Sequence, residues 1–229
     1  MNKQSKKLSV IDFFCGAGGF SEGFSQMGYQ IIKGYDHWQP AIDTFNHNFE
    51  TSSVLTNILD YQDSIERINK LPNTDVIIGS PPCVSFSSSN ISGKADKDSG
   101  ILLTKVFFRI VAVKKFQPNS TLKAWYMENV ANSRKYLANY YTFKDLGLGE
   151  WAKEHRLSPN KKAIILKDNQ PLINSADYGS YQSRKRAISG EIISHNKLII
   201  PKPTNSNNPK DNLPKWKILV CQKVQILHG

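Results

Sequence analysis

Short apolar runs rich in β-branched and aromatic residues alternate along this chain with stretches of helical period. The runs at 8–14, 30–35, 53–58, 75–79, 124–128 and 162–166 read as strands, and those at 20–27, 40–49, 61–69 and 101–116 as helices. Pro40 suits the first turn of the second helix, and Asp60 is placed to cap the third. Such alternation buries its apolar runs as a parallel sheet with helices on both faces, so the pattern predicts a doubly wound α/β sandwich. Two segments break the rhythm. Residues 84–100 are rich in Ser, Asn, Gly, Lys and Asp, too long and too polar for an ordinary connection, and read as a functional loop. Residues 201–214, rich in Pro, Asn and Lys, read as a linker. The expected organisation is one domain over 1–200, followed at 201–229 by a linker or the start of another region.

Composition narrows the class. The 229 residues allow one sizeable core, and 39% hydrophobic with 21% charged residues is a globular balance. No stretch reaches the length of a membrane span, and the basic start at 1–7 is not followed by an apolar signal core, so a soluble cytoplasmic protein is expected. Three cysteines, Cys15, Cys83 and Cys221, without CxxC spacing favour neither a disulfide scaffold nor a metal site. The net charge of +11 points to a polyanionic partner. It is concentrated between Arg184 and Lys217, where eight Lys or Arg face two acids.

Four constellations carry candidate chemistry. The first, from Asp12 through Phe14, Cys15, Gly16, Ala17, Gly18 and Gly19 to Phe20, is a strand ending in a glycine-rich turn that opens a helix. Its glycines let a ligand approach the backbone, and Asp36, at the end of the next strand, suits ribose hydroxyls. The third spaced glycine of a dinucleotide site is missing, which favours a nucleoside cofactor without a pyrophosphate. The second is Pro81-Pro82-Cys83, at the carboxyl end of an apolar strand. Taken alone, a cysteine is more often an inert buried thiol than a nucleophile. The third is Glu128-Asn129-Val130, where a carboxylate at a strand end can act as an acid or sit as a surface group. In the fourth, Gln182-Ser183-Arg184-Lys185-Arg186, two alternating arginines in an extended segment share one face, suited to a base oxygen or a phosphate, or to a solvated edge.

In this order and spacing the four motifs resemble those of the cytosine-C5 DNA methyltransferase family, from about residue 8 to residue 193. The resemblance implies a Rossmann-like S-adenosylmethionine-dependent methyltransferase fold acting on double-stranded DNA. By the match, Cys83 is the covalent nucleophile for C6 of a flipped-out cytosine, Glu128 holds or protonates N3, Arg186 binds the O2 side and Arg184 supports the active-site loop. The cofactor pocket would comprise Phe14, Gly16, Ala17, Gly18, Gly19, Asp36, His37, Trp38, Asn57 and Pro81, with no metal. Asn57 stands about where the family has an acid for the adenine amino group, Val84 replaces a common Gln, and Tyr181 a usual Pro. The family's target-recognition region and C-terminal motifs are not recognisable after residue 193. A fold truncated at its C-terminus is therefore expected, with a second protein chain supplying recognition. The setting implied is a bacterial or phage-encoded restriction-modification system, near the nucleoid. The alternatives are a truncated inactive remnant, a non-catalytic nucleic-acid-binding module and a transfer-RNA cytosine methyltransferase. A dinucleotide oxidoreductase would leave the second and fourth motifs unexplained.

Overall fold

The computed structural model describes residues 7–51, 53–82 and 97–204. Seven strands form one sheet in the order β3-β2-β1-β4-β5-β9-β8. They are β1 (Ser9–Phe13), β2 (Gln30–Asp36), β3 (Val54–Leu55), β4 (Val76–Gly79), β5 (Ala124–Val130), β8 (Leu172–Asn174) and β9 (Lys185–Ile192). The first five run parallel, whereas β9 is antiparallel to both β5 and β8. The chain winds outward from β1 to β3, then returns to place β4 on the other side of β1. That reversal opens a crevice at the carboxyl ends of β1 and β4, where ligands sit in such sheets.

The two faces follow from the period-two side-chain alternation of a strand. Val10, Val76, Ile78, Ala124 and Tyr126 meet Phe24 of α1 (Gly19–Gln26) on one face. Ile11, Phe13, Ile77, Trp125 and Met127 meet α4 (Lys97–Phe116) on the other. The middle of α4, from Val106 to Val113, is apolar nearly all round and buried, as befits a helix packed on more than one side. Its buried cations meet carbonyls: Arg109 Nη1 donates to Leu146 and Gly147 at 2.8 and 2.7 Å, although its Nε has no partner, and Lys114 Nζ donates to Leu71 at 2.7 Å. α2 (Gln39–Phe49), with Pro40 in its first turn as expected, packs through Ile42 and Phe45 on the same side as α1. α3 (Ile65–Asn69) packs against α4 through the buried Ile68.

Several expectations are corrected. The segment at 162–166 is not a strand of the main sheet: β7 (Lys162–Ile165) pairs antiparallel with β6 (Tyr140–Thr142) in a separate two-stranded sheet. Its apolar Ala163 and Ile164 are buried in the α4-side core instead. The third helix starts later than expected, capped by Ser64 rather than Asp60: Ser64 Oγ accepts from Arg67 N at 3.2 Å. The strand expected over 53–58 shrinks to β3 because Asn57 Oδ1 accepts from Leu59 N and turns the chain into a 3₁₀ turn, Ile58–Tyr61. α4 begins at Lys97, so the polar loop ends before Gly100; residues 83–96 lie outside the described residues. At the other end, residues 201–204 still dock on the main body, where Tyr178 donates to the Pro201 carbonyl and Thr204 N to Asp177 O. The rest of the expected linker, 205–229, is also outside the described residues.

Candidate active site

The glycine-rich turn is shaped by backbone that few residues tolerate. Phe14, Gly16 and Gly18 all have positive φ, and at Gly18 (φ 96°) a Cβ would fall 2.1 Å from the Phe49 ring. Asp36, at the end of β2, organises the turn. Its Oδ2 accepts from Gly16 N and its Oδ1 from Trp38 N, each at 3.0 Å. One carboxylate thus pins both the turn after β1 and the start of α2, and His37 Nδ1 lies 3.4 Å from its Oδ1. Two cavities meet at Asp36 and His37. The larger, about 480 Å³, is also lined by Gly16, Ala17, Trp38, Pro40, Ala41 and Thr44. The smaller, about 240 Å³, includes Phe14, Asn57, Pro82 and Leu103. An aromatic ring, an acid at a strand end and open backbone around a concave space fit an adenosyl group with a short polar tail. Trp38, 62% exposed, stands at the rim.

Of the residues expected at this pocket, Phe14, Gly16, Ala17, Asp36, His37, Trp38 and Asn57 line one cavity or the other. Gly18 and Gly19 instead shape the turn and open α1, and Pro82 rather than Pro81 reaches the cavity wall. Asn57 has its amide oxygen committed to the cap of the 3₁₀ turn. Beneath the turn Asp12 is fully buried: Ser21 Oγ donates to its Oδ2 at 2.7 Å, while Oδ1 has no partner. Burial raises its pKa to about 7; the Ser21 hydrogen bond opposes this and the charge of Asp36 adds to it.

The second group gathers at the same edge. Antiparallel pairing sets Val130 opposite Arg186 and Glu128 opposite Ile188, which brings the side chains of Glu128 and Arg186 together. Arg186 Nε lies 2.7 Å from Glu128 Oε1, with the two side chains 22% and 29% exposed. This is a half-buried charge-assisted pair. Arg184 does not share it. Arg184 lies just before β9, exposed, with its backbone N–H donating to Ser175 Oγ at 3.2 Å. Asn129, overlooked as a separate contributor, is buried between the two sets: its Nδ2 donates to the Pro81 carbonyl at 3.4 Å and its Oδ1 accepts from Val130 N. The signal available was a polar residue at the end of an otherwise apolar strand. Asn129 therefore ties the Glu128 strand to the segment that leads into Cys83, which itself lies outside the described residues.

The family profile described as C-5 cytosine-specific DNA methylase matches residues 8–224. The chain belongs to that family. Among curated relatives, the type II methyltransferase M.HgiGI of Herpetosiphon aurantiacus is 39% identical over 129 residues, 56% of this chain and 94% of that protein. M.DdeI of Desulfomicrobium norvegicum is 33% identical over 183 residues, 79% of this chain and 40% of its own length. M.HgiDI of Herpetosiphon aurantiacus is 40% identical over 129 residues, 56% of this chain and 38% of that protein. This C-5 cytosine methylase chain thus spans about two fifths of M.DdeI and M.HgiDI. The fold is shared with solved methyltransferases. A DNA modification methyltransferase encoded within an E. coli prophage superposes with a TM-score of 0.54 at 24% identity, over 85% of this chain and 49% of that one. EhMeth of Entamoeba histolytica does so with a TM-score of 0.60 at 20% identity, over 88% and 58%. Among the described residues no helix is long and apolar enough to cross a membrane, and no group of three or more His, Cys, Asp or Glu could hold a metal.

Proposed function

We propose that this chain is the catalytic part of a DNA (cytosine-5) methyltransferase that uses S-adenosylmethionine and a covalent Cys83 adduct, in a restriction-modification setting. The observation that carries the reading is the Glu128–Arg186 pair at 2.7 Å, joined through Asn129 to the carbonyl two residues before Cys83. Residues 1–200 are read as the catalytic and cofactor-binding unit and 201–229 as a linker or the start of a target-recognition region, with a partner chain as a possible source of recognition.

Cytosine C5 is a poor nucleophile. Addition of the Cys83 thiolate to C6 moves electron density through the ring and makes C5 an enamine-like carbon, the usual gain of covalent catalysis. Charge builds toward N3 and O2 as the sulfur adds. Glu128 holds a proton at N3, and the Arg186 guanidinium meets O2, both fixed in advance by the β5–β9 register. S-adenosylmethionine, when bound, supplies the electrophilic methyl group. Removal of the C5 proton to a base then expels Cys83 as a thiolate and restores the aromatic ring. The base must leave the duplex to present C6 to the thiolate. For the cofactor, Asp36 is assigned to the ribose, Phe14 and Trp38 to the adenine, and the backbone from Gly16 to Gly19 to the methionine end.

The test is transfer of labelled methyl from S-adenosylmethionine to duplex DNA, with and without complementing chains, alongside trapping on DNA that carries 5-fluorocytosine. The expected result is an adduct that disappears in Cys83→Ala. Absence of any adduct and of any methyl transfer under every pairing would count against catalysis.

A further inference from the structure

The cations of this protein differ in whether a carboxylate faces them. Arg67, Lys70, Lys115, Lys123 and Lys153 each face a carboxylate within 3.3 Å. Arg134, Lys135, Lys162 and Lys185 are exposed and, among the described residues, take part in no ion pair, as is also true of Lys144, Arg156, Lys161, Lys167, Arg184, Lys197 and Lys202. Four of these, Arg134, Lys135, Lys185 and Lys162, are linked through the end of β5 and the connection that follows it. Arg134 and Lys135 lie on the 3₁₀ turn Ala131–Lys135, which continues directly from the Glu128 strand at the carboxyl edge of the sheet. β9 starts at that edge with Lys185, and the pairing of Val130 with Arg186 sets Lys185 beside the beginning of the same turn. From residue 131 to residue 144 the sequence holds no acid.

The chain then runs from Lys135 to Tyr140 at the start of β6. There the Lys162 ammonium sits 4.3 Å from the centroid of the Tyr140 ring, a cation–π contact that fixes the direction of an otherwise mobile side chain. Tyr140 is itself exposed, and Tyr141 behind it is buried with its hydroxyl accepting from Ala138 N at 3.1 Å. The connection is therefore held against the core while its charges face outward. Five residues span at most about 17 Å. Duplex DNA carries a charge about every 1.7 Å along its axis, so a duplex lying over this connection meets phosphates at both ends.

We infer that Arg134, Lys135, Lys185 and Lys162 form a phosphate-binding track that holds the duplex on one side of the target cytosine while the base sits against the Glu128–Arg186 pair. Contacts of this kind position the duplex without reading its sequence. The inference rests on the proposed function for its ligand. It extends that reading by assigning one flank of the duplex to a surface that touches no reacting atom.

The test measures binding of the full chain to a fluorescent 25-base-pair duplex across a salt series. Each phosphate contact contributes about 0.9 to the slope of log affinity against log salt, so Arg134→Ala/Lys135→Ala should flatten the slope by roughly 1.8, and adding Lys162→Ala by about 0.9 more. The control Arg67→Ala/Lys70→Ala removes the same two charges from ion-paired positions and should leave the slope unchanged. An unaltered slope in the first variant, or an equal fall in the control, overturns the track. Adduct formation with 5-fluorocytosine DNA, measured at saturating duplex, separates the two readings. A wild-type adduct with an unchanged slope sinks the track alone; a flattened slope without any adduct supports the track and counts against the catalytic assignment.

Discussion

At the scale of single residues, the catalytic assignment rests on a pair whose members depend on each other. Removing the guanidinium leaves Glu128 half-buried without its partner and, on the proposed mechanism, removes the donor for the developing charge on O2. Arg186→Ala is therefore expected to slow adduct formation about 10²- to 10³-fold, read as single-turnover trapping on 5-fluorocytosine DNA at saturating duplex. Asp12 gives a prediction of a different kind. Its folded-state pKa of about 7 is raised above the model-peptide carboxyl value, chiefly by burial, so the native state holds the proton more tightly than the unfolded chain does. Its contribution is thus most favourable at acid pH and is lost as the pH rises toward 7. Asn in its place keeps a partner for Ser21 and carries no charge. Asp12→Asn should gain about 2 to 3 kcal/mol on the wild type between pH 5 and pH 8, seen in urea midpoints at the two values. A gap independent of pH would show that Asp12 does not ionise in this range.

Elements show where sequence reading succeeded and where it could not. β1, β2, β4 and β5 were legible because buried parallel strands are nearly continuous apolar runs, such as Val76-Ile77-Ile78. β9 was not, since Lys185 to Ile192 mixes Ser189, Gly190 and Glu191 with apolar residues, and Glu191 is satisfied by Lys115 and Trp125, distant in sequence. Lys162 to Ile165 read correctly as a strand, but its placement in a second small sheet depends on pairing with Tyr140 to Thr142, which local pattern does not encode. At Gly190 β9 comes close to β5: a Cβ there would lie 2.5 Å from the Trp125 carbonyl oxygen. Backbone cannot yield as a side chain can, so Gly190→Ala is expected to cost about 2 kcal/mol in chemical denaturation. It should also lower the rate of adduct formation, because β9 carries Arg186.

On the scale of the whole molecule, one buried contact joins the helical layer to the sheet beyond the site. Lys115 Nζ, at the end of α4, donates to both oxygens of Glu191 at 2.7 and 2.8 Å, and Trp125 Nε1 donates to one of them at 3.3 Å. Glu191 is fully buried and Lys115 nearly so. Breaking such a pair leaves an uncompensated charge, and Glu191→Gln should destabilise the fold by about 3 to 5 kcal/mol in urea unfolding. The four motifs were legible as sequence because each sits at a strand end where chemistry dictates residue type. Their supports were not: Asn129 on Pro81, Asp36 on two backbone amides and the Arg186 register all need the third dimension.

The antiparallel join between β5 and β9 carries one more consequence. Glu128 and Arg186 belong to distant parts of the chain and meet only because two strands are in step. A strand turns successive side chains to opposite sides, so the step between them has a parity. The segment linking these strands can lengthen or shorten in its turns without disturbing the pair, whereas a single residue inserted between Arg186 and Ile188 would turn Arg186 away from Glu128. Variation between relatives should therefore collect in the connecting turns, and the strand itself should admit changes of residue but not of count.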